Sequence, residues 1–383
     1  MAFGFTIVVL GIILLLSDCY IAFGVLNDSA WWWKVLVFIP GTIYLTINWW
    51  RFSGGKINQW TMNFAIRSTL IVFFSTLIFT IVSVLGWCLG WANPILWTIF
   101  NWIALGCCGI WLMAVLYGIF IGWKKVTVEK ISLNFSDLPS KFKGYKIVHL
   151  SDFHIGTYST SPITVSEIVE KVNSLNSDLI VFTGDLVNTS SEEIIPFINE
   201  LRSLKAKDGV ISVLGNHDYC LYRSYTPPDS PQKELEKVIN LEKSAGWKLL
   251  LNESIQIERG GERMAIIGVE NAGGKSFTDR ADLQKAMKGL TKDEFKILLS
   301  HDPSHWRREI LSATNIDLTL SGHTHGMQFK IGRFSPAKWA YKEWGGIYSE
   351  GARKLVVNTG TGGNVAFRLG VYPQILEITL TNS

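Results

Sequence analysis

Side chains that can bind metal ions recur in five short polar motifs over the last two-thirds of the sequence. The motifs are Asp152-x-His154, Gly184-Asp185, Gly215-Asn216-His217-Asp218, His301 and Gly322-His323-x-His325. Carboxylate and imidazole ligands suit manganese, iron or zinc, and the motifs contain no cysteine that would indicate a structural zinc site. Asp185 is the natural bridge between two ions. Such ions lie about 3.5–4 Å apart, orient a phosphate, lower the pKa of a water between them and stabilise an in-line displacement.

Each motif alone has a simpler interpretation than catalysis. A Gly-Asp pair after a strand is often only a turn, and a His-x-His pair also occurs by chance in exposed loops. His149 and His305 lie outside the motifs, and we expect the first within a strand and the second at the start of a helix. Because five motifs follow one another, each after an apolar run, the sequence favours one functional site over five unrelated turns.

Short apolar runs rich in β-branched residues predict the strands that position these motifs. The predicted strands are residues 146–150, 179–182, 210–214, 264–269, 297–299, 318–320, 355–357 and 375–380. Helices are predicted between them at residues 164–175, 192–204, 231–245 and 281–287. This alternation indicates an α/β domain, and ligands of such domains bind beyond the carboxyl ends of the strands.

The first 125 residues are strongly apolar and predict a membrane-spanning helical region. Residues 3–25, 31–50, 69–91 and 95–123 each reach or exceed the length of about 20 residues that a bilayer requires. Tryptophans cluster near the ends of these runs, as in an interfacial aromatic belt. They are Trp31, Trp32, Trp33, Trp49, Trp50, Trp87, Trp91 and Trp123. Residues 126–144 are predicted to connect this region to a catalytic domain at residues 145–383.

Basic residues in the connections predict the orientation of these spans. Arg51, Lys56 and Arg67 lie between the second and third runs, and Lys124, Lys125 and Lys130 follow the fourth. With four spans, the positive-inside rule places these connections, both termini and the catalytic domain in the cytoplasm. Asp18 lies late in the first run, where it is either near the interface, paired within the helices, or functional.

The charge balance and the cysteines exclude some classes of protein. The formal net charge is only +4 and no run of Lys or Arg occurs, so the sequence gives no indication of nucleic-acid binding. The five cysteines form no CxxC pair and no disulfide-like pattern, which is typical of a reducing compartment.

The ordered motifs together resemble the calcineurin-like metallophosphoesterase superfamily over residues 145–380. The glycine-containing runs at 322–328 and 359–363 look like those of its bacterial, membrane-attached branch. The resemblance implies a four-layer α/β/β/α sandwich, here preceded by a bundle of about four transmembrane helices in a bacterial inner membrane. It also implies two divalent ions, with manganese expected first and iron or zinc as alternatives.

The resemblance also implies roles for individual residues. One ion would be held by Asp152, His154, Asp185 and His325, and the other by Asp185, Asn216, His301 and His323. His217 would contact the phosphate and donate a proton to the leaving oxygen, oriented by Asp218. Protein Ser/Thr phosphatases of the superfamily carry Arg in the Gly-Asp motif and Glu at the position of Asp218, so a phosphoprotein substrate is disfavoured.

The expected function is hydrolysis of a phosphate ester or pyrophosphate of a lipid-linked substrate, such as a UDP-acylated glucosamine. Large aromatic residues at 326–348 either pack the loops of the domain or form a wall for an acyl or prenyl chain. One alternative is a phosphodiesterase for soluble or cyclic nucleotides. An alternative of another class is a catalytically silent membrane sensor or scaffold, which the intact ligand positions disfavour.

Overall fold

The computed structural model describes residues 2–52, 59–90, 93–226, 230–275 and 277–382. The chain divides into two compact units, Met1–Ile121 and Gly122–Ser383. Lys56 and Trp91, on which the span predictions partly depend, lie outside the described residues.

The first unit is helical. Its α-helices are α1 Ala2–Tyr20, α2 Trp31–Phe52, α3 Gln59–Ser68, α4 Phe74–Gly90 and α5 Pro94–Phe120. Helix α1 continues as a π-helical turn at Ile21–Val25, and another such turn at Thr69–Phe73 joins α3 to α4. Helix α5 begins where the Asn93 side chain accepts the N–H of Ile95 at 3.1 Å, with Pro94 in the first helical position.

Three helical segments of the described residues are long and apolar enough to cross a membrane, Val8–Val25, Thr61–Gly90 and Pro94–Lys124. The predicted count of four is therefore corrected to three. Residues 31–50 do form helix α2, but Lys34, Pro40 and Asn48, together with its tryptophans, reduce the mean hydropathy of this helix. The third predicted span begins earlier than expected, so Arg67 lies within helix α3 rather than in a connection.

Polar side chains join the helices of the first unit. Tyr20 in α1 and Ser83 in α4 are hydrogen-bonded at 2.9 Å, and Ser83 donates to Asn101 in α5 at 2.5 Å. Asp18 is buried, and its Oδ2 would lie 2.5 Å from a Cβ added at Gly41 of α2. Of the alternatives for Asp18, the structure therefore favours a position within the bundle. Hydrogen bonds of this kind, and glycines that permit close approach, stabilise helix pairs in membranes.

The described residues of the second unit form two six-stranded sheets. The strands in chain order are β1 Thr127–Asn134, β2 Lys146–Leu150, β3 Leu179–Phe182, β4 Val210–Ser212, β5 Lys248–Leu249, β6 Glu253–Arg259, β7 Glu262–Gly268, β8 Phe295–Leu299, β9 Leu318–Ser321, β10 Gly346–Glu350, β11 Arg353–Val357 and β12 Gln374–Thr381. The first sheet has the order β1-β12-β2-β3-β4-β5 and the second β10-β11-β9-β8-β7-β6. Strands β2 to β5 are parallel to one another, as are β7, β8, β9 and β11.

Alternate residues of the strands face different layers, as the pleat of a strand requires. On β3, Ile180 faces a core shared with helices, whereas Val181 faces the core between the two sheets. On β8, Ile297 faces the core between the sheets and Leu298 faces a third core on the outside of the second sheet. The order of layers is therefore helix, sheet, sheet, helix, which confirms the predicted α/β/β/α sandwich.

The outer helices of the second unit are α6 Ile163–Ser174, α7 Ile198–Arg202 and α8 Pro231–Ser244 beside the first sheet, with α9 Leu283–Ala286 and α10 Leu311–Ala313 beside the second. A short helix, α11 Ala337–Ala340, follows β9. The helix predicted at 192–204 is instead two 3₁₀ turns followed by α7, because Pro196 interrupts it.

All eight predicted strands form, with boundaries shifted by a few residues, but four further strands were not predicted. Among these, β1 lies within the predicted connector and pairs in parallel with β12. Strands β1, β5, β6 and β10 stand at the edges of the two sheets. Edge strands are partly solvated and carry many polar residues, so their sequences lack the continuous apolar run of a central strand.

Candidate metal centre

The five motifs lie in the loops that follow β2, β3, β4, β8 and β9. These strands end at Leu150, Phe182, Ser212, Leu299 and Ser321. The two sheets meet at this edge through hydrogen bonds between the loops. His301 Nδ1 donates to the Thr183 carbonyl at 2.7 Å, and His323 N–H donates to the Asp152 carboxylate at 2.9 Å. Residues far apart in the chain are therefore collected at one place.

The first cluster contains Asp152, His154, Asp185 and His325, whose ligand atoms all lie within 4.8 Å of one another. The Nε2 atoms of His154 and His325 are 3.1 Å apart. His154 Nε2 is 3.5 Å from Asp185 Oδ2, and His325 Nε2 is 3.4 Å from Asp152 Oδ1. Four potential donors thus point to a common centre.

The second cluster contains Asp185, His301 and His323. His301 Nε2 lies 3.2 Å from Asp185 Oδ2 and 3.2 Å from His323 Nδ1. Asp185 belongs to both clusters, which is the position predicted for a bridging carboxylate. The arrangement is suited to a pair of divalent ions.

Asn216 adjoins Asp185, because the next residue, His217, donates its N–H to Asp185 Oδ1 at 2.8 Å. Its side-chain nitrogen donates to the Tyr222 hydroxyl at 2.8 Å. Its Oδ1 is buried and has no hydrogen-bond partner among the described residues. A buried amide oxygen without a partner is unfavourable, and a cation would satisfy it.

The backbone at the site is held in conformations that side chains rarely adopt. Five of the predicted ligands have positive φ angles, namely Asp152 at 50°, His154 at 46°, Asp185 at 60°, His323 at 72° and His325 at 52°. At these angles the Cβ crowds the adjacent backbone, so the conformation persists only where surrounding contacts hold it. Such residues concentrate at functional sites.

The charges of the site follow from its burial and its carboxylates. Burial lowers the pKa of His301, but the adjacent Asp185 outweighs burial and raises this pKa to about 10. Burial raises the pKa of Asp185, but the imidazoles of His301 and His217 hold it well below its usual range. Burial lowers the pKa of His154 to about 3 and that of His323 to about 4. His301 is therefore the protonated imidazole near neutral pH, and the other two are neutral.

The orientation of His217 differs from the prediction. Its Nδ1 donates to the backbone carbonyl of Asn188 at 2.7 Å, and its Nε2 lies 3.3 Å from the side-chain nitrogen of Asn364. The Asp218 carboxylate points away from this imidazole into the surrounding loops. It accepts four backbone N–H groups, those of Asp185, Leu186, Val187 and Gly215. Asp218 thus fixes the loop that carries Asp185, and the expected contact between Asp218 and His217 is corrected.

Arg368 is a buried residue beside the site that the sequence analysis did not single out. It is only 1% exposed and donates to the carbonyls of Thr359, at 2.8 Å, and Gly362. Gly362 N–H in turn donates to the Asp152 carbonyl at 2.8 Å. A Cβ at Gly360, whose φ is 91°, would lie 2.9 Å from the Asp152 Cβ. Arg368 therefore holds the glycine-containing loop against the first motif.

The calcineurin-like phosphoesterase family matches residues 145–327. A metallophosphoesterase of Helicobacter pylori strain J99 is 32% identical over 223 residues, which are 57% of this chain and 55% of the relative. The metallophosphoesterase YkoQ of Bacillus subtilis is 30% identical over 210 residues, which are 54% of this chain and 70% of the relative. A Danio rerio protein named transmembrane protein with metallophosphoesterase domain is 28% identical over 55% of this chain and 47% of the relative.

These comparisons show that the chain belongs to the calcineurin-like phosphoesterase family. The chain spans about half the length of the Helicobacter pylori and Danio rerio relatives, 55% and 47% respectively.

Proposed function

We propose that this protein is a membrane-attached hydrolase of phosphate esters or pyrophosphates that uses two divalent ions, with manganese as the expected metal. The observation that supports this most strongly is the pair of ligand clusters sharing Asp185. One ion is assigned to Asp152, His154, Asp185 and His325, and the other to Asp185, Asn216, His301 and His323. Metal-dependent turnover of bis-p-nitrophenyl phosphate by the purified full-length protein tests the activity.

The donor set fits such ions. Imidazole and carboxylate donors suit first-row divalent metals, and the orphaned Asn216 Oδ1 supplies a further oxygen. The His301 ring is oriented by its hydrogen bond to the Thr183 carbonyl, as metal-binding histidines usually are. Two bound ions would supply Lewis-acid stabilisation of the phosphoryl oxygens and activation of water.

His217 is the proposed proton donor. Its Nδ1 donates to the Asn188 carbonyl, and its Nε2 would exchange the 3.3 Å contact with the Asn364 side chain for the phosphate and protonate the leaving oxygen. The rings of His217 and His154 meet edge to face with centroids 4.8 Å apart, so His217 lies beside the first cluster. The backbone N–H of His217 donates to Asp185 Oδ1 at 2.8 Å, so His217 would lie beside ions held by Asp185.

Metal affinity is expected to fall as the pH falls. Because the pKa of His301 is raised to about 10, this imidazole carries a proton in the metal-free protein at neutral pH. An ion must displace that proton, so the dissociation constant should rise about tenfold for each unit that the pH drops. Calorimetric titration of Mn²⁺ into metal-free protein between about pH 6 and pH 8 measures this slope. An affinity that does not change with pH would contradict the displacement of a proton from His301 by the bound ion.

A lipid-linked phosphate or pyrophosphate, such as a UDP-acylated glucosamine, is the proposed substrate. The apolar segment Pro94–Lys124 ends immediately before the second unit begins its first sheet, so this unit is tethered at the bilayer. Aromatic side chains adjoin the site: the Tyr341 hydroxyl is 2.8 Å from His323 Nε2, and the Tyr222 ring lies 4.4 Å from the His217 ring. They provide apolar surface beside the ligands.

The catalytic unit is proposed to face the cytoplasm of a bacterial inner membrane. Lys124 ends the last apolar segment, Lys125 and Lys130 follow it, and the positive-inside rule keeps such residues on the cytoplasmic side. A C-terminal fusion to green fluorescent protein should therefore fluoresce, and a fusion to alkaline phosphatase should be inactive. An active alkaline phosphatase fusion would reverse the orientation. Fusions to the N-terminus distinguish three spans, which place it outside, from four, which place it inside.

A further inference from the structure

Residues 327–342, here called the basic–aromatic segment, expose several large apolar side chains beside the site. The exposed fractions are 45% for Met327, 61% for Ile331, 42% for Phe334 and 77% for Trp339. The rings of Phe334 and Trp339 contact each other edge to face, with centroids 5.3 Å apart. Phe334 and Trp339 thus share an exposed apolar surface, and Ile331 adjoins it through its backbone hydrogen bonds to Phe334. A soluble domain would usually bury such a surface or use it for binding.

The charges of the segment have one sign. Lys330, Arg333, Lys338 and Lys342 lie among the apolar residues, and the segment contains no Asp or Glu. Arg333, Lys338 and Lys342 are exposed, and within the described residues none of the four forms an ion pair. Tryptophan and phenylalanine flanked by Lys and Arg are typical of elements that lie in the headgroup region of a membrane. The basic residues favour anionic lipids.

Buried residues and hydrogen bonds fix the backbone that carries these exposed side chains. Ser335 and Ala337 are buried, and Ser335 Oγ donates to the Gly326 carbonyl at 2.7 Å. Ile331 and Phe334 exchange backbone hydrogen bonds of 2.9 and 3.0 Å, which close a tight turn. Trp339 lies in helix α11, directly after these anchors. The apolar surface is thus presented outward by contacts that fix its base.

The segment lies at the edge of the second unit where the chain of that unit begins. The apolar segment Pro94–Lys124 ends one residue before Lys125, whose Nζ lies 4.5 Å from the centre of the Tyr372 ring. Residues 369–371, which precede Tyr372, contact the start of the basic–aromatic segment. The Lys330 N–H donates to the Leu369 carbonyl at 2.8 Å.

The register of the first sheet places the metal centre at this edge too. Strand β1 starts at Thr127 opposite Gln374, while Leu376 of β12 lies opposite His149 near the carboxyl end of β2. The start of β1 and the loop after β2 are therefore on one edge of the sheet. The amino ends of β2 and β4, with Lys143 and Lys205 just before them, lie on the opposite edge.

We propose that the basic–aromatic segment docks on the anionic surface of the bilayer in which the protein is anchored. Trp339, Phe334 and Ile331 would enter the headgroup region, with the basic residues contacting lipid phosphates. Through Tyr341, bonded to His323, the docked segment holds the metal centre at headgroup level. A phosphoester carried by a lipid then reaches the site without leaving the membrane. This last step rests on the proposed function, whereas the docking does not.

Photo-crosslinking of the full-length protein in vesicles tests the docking. Trp339 is replaced by p-benzoylphenylalanine, and lipid adducts are detected by mass spectrometry in vesicles of phosphatidylcholine with and without phosphatidylglycerol. The matched control carries the same crosslinker at Lys143, which is exposed at the opposite edge. We expect adducts at position 339, increased by phosphatidylglycerol, and none at position 143. No adduct at 339, or equal yields at both positions, would overturn the proposal.

A double charge-reversal variant tests whether the segment acts on membrane docking without acting on catalysis. Arg333→Glu with Lys338→Glu should lower hydrolysis of a vesicle-borne phosphoester lipid by about fivefold or more, because two attractive charges become repulsive. It should leave turnover of soluble bis-p-nitrophenyl phosphate unchanged. Lys143→Glu with Lys205→Glu is the control and should change neither. Equal losses on both substrates would overturn the docking role. If the wild-type protein hydrolyses neither substrate, the proposed function fails, and the crosslinking result still decides the docking.

Discussion

Asp185→Asn is expected to lower phosphoester turnover by at least about 1000-fold, because it removes the one carboxylate common to both clusters. An amide oxygen is a weaker ligand than a carboxylate and does not bridge two cations well. The fold should survive, since the asparagine oxygen can still accept the His217 N–H that Asp185 Oδ1 accepts at 2.8 Å.

The metal content of the Asp185→Asn protein should fall together with its activity, as measured by mass spectrometry of the bound metals and by initial rates. Asp137→Asn is the matched control, because it makes the same chemical change at an exposed carboxylate just after the end of β1, on the edge of the first sheet opposite to the metal centre. The control should retain wild-type metal content and rates. An Asp185→Asn protein with wild-type metal content and undiminished turnover would contradict the shared-ligand assignment.

His217→Asn is expected to show a loss that depends on the leaving group. For an ester with an alkoxide leaving group, loss of the proton donor should lower kcat by about 100-fold to 10,000-fold. For p-nitrophenyl esters the loss should be much smaller, since p-nitrophenolate leaves without being protonated. His217 is not in either ligand cluster, so the bound metal should not change.

Rates with a series of phosphodiesters of increasing leaving-group pKa measure this dependence. The slope of log kcat against that pKa should be shallow for the wild-type protein and steep for His217→Asn. Equal slopes would exclude His217 as the proton donor and leave it only a role in binding phosphate. Loss of metal in this variant would instead make His217 a ligand.

The central strands and the clustering of the proposed ligands could be predicted because each depends on a local signal. A buried parallel strand is a continuous apolar run, and the residue after its carboxyl end must lie at the edge where other strands also end. This rule alone predicts that Asp152, Asp185 and His301 lie close together. The four-layer order came from the family resemblance, and the packing of Ile180 and Val181 into different cores confirms it.

Other features could not be predicted because they depend on backbone groups or on long-range packing. His217 is oriented by the carbonyl of Asn188, and no sequence motif marks a carbonyl acceptor. Asp218 follows His217 in the sequence and was expected to orient it, but its carboxylate accepts four backbone N–H groups instead. Arg368 lies 216 positions after Asp152, and only the folded loop brings them close. The pattern of apolar residues predicted helix α2 correctly, but this helix is not apolar enough to be a candidate membrane span.

Metal titration of the full-length protein tests the two-ion hydrolase most directly. Metal-free protein in detergent is titrated with Mn²⁺ while bound metal and turnover of bis-p-nitrophenyl phosphate are measured on the same samples. We predict that activity appears as the bound metal approaches two ions per chain and disappears with EDTA. Binding that saturates at one ion with full activity, or two bound ions with no turnover of any phosphoester, would contradict the account.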